Sequence, residues 1–254
     1  MEKYICDNIF ISLRSGPTHK SEMLSQILFG EKYIITDSAG KWRKIESLFD
    51  GYQGWIDTDH VRQLPDKGDS KGFVLNRNLT CVRDDGTVMV LEPGCEIYEP
   101  DFEAVSFLAG EKTYKVSDGF DNSYVSPRGT PADTASRLIN SPYIWGGRIP
   151  SGIDCSGLTQ LVYKIHGIKI PRDSWKQADA GHSVDFLNES KPGDLVFFDN
   201  ERSQITHVGM ILSEGLVIHA SGRVRIDRID HQGIFRQETG KYSHHLRLIK
   251  RIVS

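Results

Sequence analysis

The chain has 254 residues, of which 38% are hydrophobic and 26% charged, and its formal net charge is −3 at pH 7. The length exceeds one typical domain and the composition is that of folded globular protein, so we expect two or three compact domains. Because charges of both signs are mixed along the chain, there is no basic stripe for phosphates and no polybasic segment for anionic lipid. We therefore expect neither nucleic acid nor a membrane as a partner.

The amino terminus lacks the continuous apolar stretch of a signal peptide, and no later run is long enough to span a bilayer. We expect a cytoplasmic protein, or a secreted or periplasmic one if a signal peptide has been removed. The 4 cysteines lie far apart without a Cys-x-x-Cys pair, which disfavours a disulfide framework or a thiolate zinc site. Cys6, Cys81 and Cys95 are expected to be small buried core residues.

Residues 1–65 form the first predicted domain. Short strand-like segments separated by turn residues predict a small barrel or sandwich. The segment resembles bacterial SH3-like domains, because four of its motifs follow the order of that family: Leu13-Arg14-Ser15-Gly16-Pro17, Leu28-Phe29-Gly30-Glu31, Trp42-Arg43-Lys44-Ile45 and Gly54-Trp55-Ile56.

A polar stretch rich in turn formers, Pro65-Asp66-Lys67-Gly68-Asp69-Ser70-Lys71-Gly72, predicts a linker. Beyond it, alternating segments from about Phe73 to Val125 predict a second, degenerate SH3-like barrel that lacks the Gly-Trp signature. Turn residues from Ser126 onward mark the next boundary. We predict three domains, with residues 1–65, 66–127 and 128–254.

Helical spacing first appears after Pro131. Residues 132–139 predict a helix that ends at Ser141-Pro142, and a loop carrying Tyr143 and Trp145 follows. A second helix is predicted by its apolar spacing, with Asp154 as the N-cap, Cys155 as the first helical residue and Gly167 just beyond the carboxyl end.

Cys155 therefore occupies a position with chemical consequences. A thiol at a helix amino terminus meets backbone N–H groups without helical partners and the positive end of the helix dipole. Both favour the thiolate over the thiol, so Cys155 is a candidate nucleophile. A catalytic role also needs a base.

Two strand-like segments on either side of Ser213-Glu214-Gly215 predict a hairpin that carries His207 and His219. The two histidines have the same parity about the turn, so an in-register hairpin directs both to one face, unless a bulge intervenes. The opposite, mainly apolar face is expected to meet the core. Our hypothesis is that His207 is the base for Cys155 and that His219 orients His207.

Two alternatives stay open for these residues. The histidines alone are compatible with ordinary strand positions, and Cys155, Asp154, His207 and His219 together offer metal-ligand chemistry, although their spacing gives no compact helical ligand pair. The remaining candidate histidines, His231, His244 and His245, are expected at the surface or near the terminus.

Six ordered motifs in the carboxyl-terminal half resemble the NlpC-type cell-wall peptidases, cysteine enzymes of the papain-like superfamily. The motifs are Tyr143-x-Trp145-Gly146-Gly147, Asp154-Cys155-Ser156-Gly157-Leu158, Pro171-Arg172-Asp173-Ser174, Pro192-Gly193-Asp194-Leu195-Val196-Phe197-Phe198, His207-Val208-Gly209-Met210 and His219-Ala220. The resemblance implies an α+β fold in which a papain-like catalytic domain follows the two all-β barrels.

The same resemblance implies cleavage of the γ-D-glutamyl–L-diamino acid bond of peptidoglycan stem peptides, without a cofactor or metal. It assigns Cys155 as nucleophile, His207 as base, His219 as the polar third residue and Tyr143 as a hydroxyl donor near the oxyanion. It also implies a substrate cleft lined by Trp145, Asp154, Ser156 and Ser174.

One departure from the family pattern concerns the amine of the substrate. Many relatives have Pro-Arg-Thr-Ser where this chain carries Asp173, whose carboxylate fits the free α-amine of an N-terminal L-alanine; capping of the following helix is the alternative. The first barrel resembles that of a subgroup that trims free muropeptides, in which an acidic residue and a tyrosine close the cleft. By position these are Glu22 and Tyr52, which are otherwise a solvated charge and an ordinary barrel aromatic.

Together these assignments predict a monomeric peptidase of muropeptide recycling that acts on L-Ala-γ-D-Glu-L-diamino acid peptides, releases L-Ala-D-Glu and excludes intact peptidoglycan. Buried carboxylates without an ammonium partner would reject blocked substrates. The alternatives are a non-catalytic cell-wall-binding protein and a papain-like amidase or acyltransferase that acts on another amide.

Overall fold

The computed structural model describes residues 2–64, 70–117 and 119–253. It divides into two compact units, Met1–Pro127 and Arg128–Ser254. Most of the predicted linker, residues 65–69, lies outside the described residues. Within the described part of the chain, every helix is too short or too polar to cross a bilayer.

The first unit begins with a six-stranded antiparallel sheet in the order β1-β4-β5-β6-β2-β3. Its strands are β1 (Tyr4–Ile5), β2 (Phe10–Arg14), β3 (Met23–Leu28), β4 (Lys32–Ala39), β5 (Trp42–Ser47) and β6 (Gln53–Asp57), followed by a 3₁₀ turn at Thr58–His60. Alternate side chains of these strands form one buried cluster: Cys6, Ile11, Leu13, Ile27, Tyr33, Ile45 and Ile56. The predicted burial of Cys6 is confirmed, as it is for Cys81 and Cys95.

The second sheet of this unit repeats the strand order of the first, as β7-β10-β11-β12-β8-β9. Its strands are β7 (Gly72–Val74), β8 (Leu79–Arg83), β9 (Val88–Leu91), β10 (Glu96–Asp101), β11 (Ser106–Ala109) and β12 (Lys112–Val116), and a 3₁₀ turn follows at Asn122–Tyr124. The degenerate barrel predicted without a Gly-Trp signature thus has the topology of its neighbour.

The two sheets of the first unit meet at the turn between β3 and β4. The backbone N–H of Glu96 donates to the Phe29 carbonyl at 2.8 Å, and the Tyr98 hydroxyl donates to the Gly30 carbonyl at 2.8 Å. The Phe29 ring packs edge-on against Tyr114, with centroids 5.2 Å apart. A Cβ atom on Gly30 would lie 1.9 Å from the Glu96 carbonyl oxygen, so only glycine fits at this contact.

Replacing Gly30 by alanine tests this contact, and Gly40 supplies the matched control. Both glycines have positive φ, but a Cβ on Gly40 meets no described atom within 4 Å. Both variants incur the left-handed strain of alanine, whereas only Gly30→Ala adds a backbone clash. We expect Gly30→Ala to lower the free energy of unfolding by about 2–3 kcal/mol more than Gly40→Ala in urea denaturation. Equal losses would show that the junction yields easily.

The second unit contains a seven-stranded sheet in the order β15-β21-β16-β17-β18-β19-β20, and β20 also pairs with β21. The six strands from β16 to β21 therefore close into a ring. Their bounds are β15 (His182–Val184), β16 (Leu195–Asp199), β17 (Ile205–Ser213), β18 (Leu216–Ser221), β19 (Arg223–Asp230), β20 (Gly233–Arg236) and β21 (Lys241–Arg251).

The helices of this unit are α1 (Pro131–Ser136), α2 (Cys155–Ile165) and α3 (Ser174–Gln177), with a short hairpin of β13 (Arg148–Ile149) and β14 (Gly152–Ile153) before α2 and a 3₁₀ turn at Leu187–Glu189. Helix α1 ends earlier than predicted. Asn140 donates its N–H to the Val224 carbonyl, and Val224 donates to that of Ser141. Pairing with β19 thus removes this backbone from the helix.

Candidate active site

Cys155 is the first residue of α2, as predicted. Asp154 is the N-cap, and its Oδ1 accepts a hydrogen bond from the Gly157 N–H at 2.7 Å. At the other end, Gly167 has φ of +75° just beyond the helix, in the conformation that a glycine after a helix supplies. All residues of α2 are buried, and the Cys155 side chain is among them with 6% of the residue exposed.

The carboxylate of Asp154 joins three segments around Cys155. Its Oδ2 accepts from the Gly146 N–H at 2.8 Å, and the Arg172 guanidinium donates to both of its oxygens, at 3.0 and 2.5 Å. Arg172 also donates to the Ser156 hydroxyl at 2.7 Å. Asp154 and Ser156 are therefore buried and already hydrogen-bonded. Our sequence interpretation assigned no role to Arg172, although its Pro-Arg-Asp-Ser motif was recognised.

The Cys155 thiol lies against strand β17. Its sulfur accepts hydrogen bonds from the backbone N–H groups of Val208 and Ser156, which lower its pKa, as does Arg172. Burial first and then the Asp154 carboxylate outweigh these donors and raise the pKa of Cys155 to about 12. The expectation that the helix terminus favours a thiolate is therefore incomplete, because desolvation favours the thiol. A neighbouring base must accept the proton.

His207 and His219 lie on one face of the hairpin, which confirms the prediction from parity. His219 pairs with Gly209, so His207 is its diagonal neighbour, and the irregularity between Ile211 and Ser213 lies towards the turn and does not separate the two. The Nε2 atom of His207 is 2.8 Å from Nδ1 of His219. Gly209 fits between the strands because a Cβ there would lie 2.7 Å from Val217 Cγ2 and 3.2 Å from the His219 Cβ.

Asp227 on β19 extends this pair, and the sequence interpretation missed it. Its Oδ2 lies 2.9 Å from Nε2 of His219. Burial raises the pKa of Asp227, but hydrogen bonds from His219 and Arg225 have the larger effect, and the resulting pKa is lowered to about 2. The available signal was alternation, because Asp227 has the parity of the core residue Ile229.

The histidine face also carries part of the apolar core. His207, His219 and Asp227 form a hydrogen-bonded chain that we call the relay. Ile211, Val217 and Ile229 have the same parity on their strands as these three residues and belong to one buried cluster. Val208 and Met210 on the opposite face of β17 are buried as well. The expectation that the opposite face meets the core is confirmed by Val208 and Met210, but the histidine face meets apolar core as well, because the sheet is closed.

His244 on β21 stacks on the ring of His207, with centroids 4.1 Å apart and 23° between the planes. The expectation that His244 lies at the surface was wrong, because β21 pairs with both β16 and β20 and passes beside the site. His231 and His245 are exposed, as predicted. Burial lowers the pKa of His207 well below its usual value and that of His219 to a lesser extent, and it lowers the pKa of His244 to about 4.

The ring nitrogens of His207, His219 and His244 lie within 4.8 Å of one another, close enough for a metal site. The hydrogen bonds indicate a different use. Both nitrogens of His219 are engaged, one by His207 and one by Asp227, so His219 has no lone pair left for a metal. The arrangement is that of a base oriented by a second and a third polar group.

The remaining predicted residues lie in several environments. Tyr143 is half-buried, and burial, followed by the charges of Cys155 and Asp154, raises its pKa to about 12. Trp145 is 59% exposed. Asp173 takes the N-cap position of α3, but its side chain makes no capping hydrogen bond and lies 3.5 Å from the Lys176 Nζ. The capping alternative for Asp173 was therefore wrong; Ser174 beside it is half-buried.

Glu22 and Tyr52 belong to the first unit. Glu22 is exposed immediately before β3, and Tyr52 is partly buried against the apolar core of its barrel. These positions therefore also agree with the ordinary interpretation, in which Glu22 is a solvated charge and Tyr52 is an aromatic residue of the barrel.

A buried cysteine at a helix start, packed against a strand that supplies a hydrogen-bonded histidine, defines a cysteine peptidase of the papain-like class. The comparisons agree with this class. The family model described as the NlpC/P60 family matches residues 140–242, and that of the bacterial dipeptidyl-peptidase Sh3 domain matches residues 13–61.

Whole-chain relatives are similar across both units. The chain is 32% identical over 238 residues to the gamma-D-glutamyl-L-lysine dipeptidyl-peptidase of Bacillus subtilis (strain 168), covering 82% of this chain and 75% of that protein. It is 30% identical over 243 residues to the protein of the same name from Bacillus cereus, covering 80% and 68%. The chain belongs to the NlpC/P60 family.

The fold also matches a solved structure. The crystal structure of an NlpC/P60 family protein from Bacillus cereus aligns with a TM-score of 0.82 and 21% identity, over 99% of this chain and 100% of that one. The predicted α+β class, with SH3-like barrels before a papain-like domain, is confirmed.

The buried histidines predict a pH-dependent stability. Their folded-state pKa values are depressed, to about 4 for His244, whereas an unfolded histidine titrates near about 6.5. The unfolded chain therefore binds more protons below this pH, and stability that is present above about pH 6.5 is lost as the pH falls towards about 4.

Hydrogen exchange of backbone amides in β17–β21 measures this loss on the full chain. His244→Phe keeps a ring stacked on His207 without a titrating group, so we expect its slope of unfolding free energy against pH to be shallower by up to about 1.4 kcal/mol per pH unit. The control His231→Gln removes an exposed histidine and should leave the slope unchanged. An unchanged slope in His244→Phe would contradict the neutral, buried state of His244.

Proposed function

We propose that this cysteine peptidase hydrolyses the γ-D-glutamyl–L-diamino acid bond of stem peptides with a free N-terminal L-alanine, and releases L-Ala-D-Glu. The observation that carries the proposal is the Cys155 thiol held at β17 beside a histidine pair. The substrate is supported by the two Bacillus relatives named gamma-D-glutamyl-L-lysine dipeptidyl-peptidase.

In this mechanism His207 is the base. Its Nε2 faces His219, so Nδ1 accepts the proton of the Cys155 thiol as the sulfur attacks the γ-carbonyl carbon of D-glutamate. Collapse of the tetrahedral intermediate breaks the C–N bond, and the proton on His207 passes to the leaving amine of the diamino acid. Water, deprotonated by His207, then hydrolyses the thioester and restores the thiol.

The oxyanion is stabilised by the Cys155 backbone N–H and the Tyr143 hydroxyl. A raised pKa of about 12 keeps this hydroxyl protonated at neutral pH, so it donates a hydrogen bond as negative charge develops on the carbonyl oxygen. A neutral thiol and neutral imidazole in the resting site also suit the mechanism, because charge separation then coincides with attack.

Recognition of the substrate amine falls to a carboxylate. We assign Asp173 to the α-ammonium group of L-alanine, and Trp145, Asp154, Ser156 and Ser174 to the cleft around the dipeptide. When the bound substrate covers the Asp173 carboxylate, a blocked amine leaves it desolvated without an ammonium partner, so the blocked substrate is rejected. The free amine is absent from intact peptidoglycan, so the proposal places a monomeric enzyme in the cytoplasm, in muropeptide recycling.

Replacing Cys155 by alanine tests the nucleophile. We expect release of L-Ala-D-Glu from L-Ala-γ-D-Glu-L-Lys, followed by mass spectrometry, to fall at least about 10⁴-fold, since the covalent route is removed. Cys81→Ala changes another buried cysteine, in the second barrel, and should retain turnover. Activity that persists in Cys155→Ala would refute the assignment.

An acetylated substrate tests recognition of the amine. N-acetyl-L-Ala-γ-D-Glu-L-Lys should have a kcat/KM about 10²–10⁴-fold lower than the free peptide, because the Asp173 carboxylate then lies desolvated beside a neutral amide. In Asp173→Asn this ratio should shrink, whereas Asp179→Asn, which removes an exposed carboxylate just beyond α3, should preserve it. Equal rates for both peptides with the unaltered enzyme would contradict the amine model.

A further inference from the structure

We propose that Asp227 is a positioning residue that holds His219 in its Nε2–H tautomer and thereby directs the unprotonated Nδ1 of His207 towards Cys155. The inference rests on the proposed function, because it states which ring nitrogen of His207, the base of that reaction, carries the proton at rest. It concerns a residue that touches neither the thiol nor the substrate.

The tautomers follow from the order of the hydrogen bonds. The Asp227 carboxylate only accepts, so Nε2 of His219 must carry the proton along the 2.9 Å contact. Neutral His219 then has its lone pair on Nδ1, which accepts along the 2.8 Å contact from Nε2–H of His207. His207 is left with its lone pair on Nδ1, the nitrogen required to receive the thiol proton. Without an acceptor at Asp227, His219 is free to take the opposite tautomer, which reverses every step.

The carboxylate itself is held in place from behind. Arg225 Nε lies 2.8 Å from Oδ2 of Asp227, and an Arg225 Nη2–H donates to Oδ1 at 2.8 Å. The same Nη2 atom of Arg225 also contacts Oε1 of Glu238 at 2.6 Å. Asp227 is buried, so its orientation is fixed by these contacts and its charge is little screened by solvent.

Other charged and titratable groups face the relay from neighbouring elements. His244 on β21 disfavours protonation of His207, and Arg236 on β20 disfavours protonation of both His207 and His219. Cys155 lies at the start of α2, and Arg225 stands behind Asp227. Asp227 supplies a negative charge in direct contact with His219, and it stabilises the imidazolium that forms during attack.

The unaltered enzyme gives the first test. In ¹⁵N-histidine-labelled full chain at neutral pH, long-range proton–nitrogen spectra should show His219 and His207 both protonated on Nε2, with assignments from His219→Gln and His207→Gln. A Nδ1–H tautomer at His219 would overturn the inference, and this result does not depend on the folding of an Asp227 variant.

Asp227→Asn and Asp227→Ala provide the second test. In Asp227→Asn the Arg225 donor holds the amide oxygen at the Oδ1 position, so the NH2 group faces Nε2 of His219 and favours the opposite tautomer, whereas Asp227→Ala removes both the charge and the acceptor. We expect kcat to fall at least about 100-fold in both variants, with KM changed less than about 2-fold, because the residue acts one hydrogen bond beyond the base. Wild-type kcat in both variants would contradict the proposal.

The pH profile separates positioning from a structural role. Removing a negative charge makes every proton on the Cys155–His207 pair easier to lose, so both limbs of kcat/KM against pH should move to lower pH by ~0.5–1 unit in Asp227→Asn. The control is Asp194→Asn, which removes another buried aspartate paired with an arginine, Arg251. It should lower stability without moving either limb. If both limbs of the kcat/KM profile of Asp227→Asn lie at the wild-type pH values, the role of Asp227 is structural only.

Failure of this inference is distinct from failure of the proposed function. If Cys155→Ala remains active, the nucleophile assignment falls. If Cys155→Ala is inactive while the Asp227 variants match the wild type in tautomer, kcat and pH limbs, only the role of Asp227 falls.

Discussion

The buried ion pair of Asp154 and Arg172 is the contact on which the site depends. One carboxylate caps α2 through Gly157, binds the loop at Gly146 and receives two hydrogen bonds from Arg172. The desolvation cost of this carboxylate is offset because Gly157, Gly146 and Arg172 all donate hydrogen bonds to it. The same arrangement raises the pKa of Cys155, since burial and the nearby carboxylate both disfavour a thiolate. The contacts that fix the position of the thiol therefore also make it a weaker acid.

The histidine relay resolves that conflict. Because the site is buried, His207 is also neutral at rest, and neither partner carries a charge until substrate binds. When His207 becomes protonated, two short hydrogen bonds connect its imidazolium through His219 to the Asp227 carboxylate. The negative charge of Asp227 then stabilises the imidazolium. The relay lies on the core face of a closed sheet, where side chains have few alternative positions. The same burial that raises the pKa of Cys155 therefore keeps its base oriented.

Much of this was predictable from local sequence. Asp154, Cys155 and Gly167 are set by helix capping, and the shared face of His207 and His219 follows from strand parity, since both rules act within a few residues. Helix α1 was predicted too long because Asn140 pairs with β19. His244 was misplaced because β21 pairs with β16 and β20 and brings His244 onto the ring of His207. Asp227 escaped notice because no strand was predicted after His219, although β19 pairs directly with β18. Sequence patterns describe one element at a time, whereas the position of His244 depends on the closure of the sheet.

The central claim is that Cys155 reacts as a nucleophile because His207 accepts its proton. The most direct measurement is the rate at which iodoacetamide alkylates Cys155, followed by peptide mass spectrometry across a range of pH, in the full chain and in His207→Ala. We predict that the wild type reacts at neutral pH, and that His207→Ala reacts only at a clearly higher pH, because burial raises the pKa of the Cys155 thiol and no base then accepts its proton. Identical profiles for the two proteins would contradict the account.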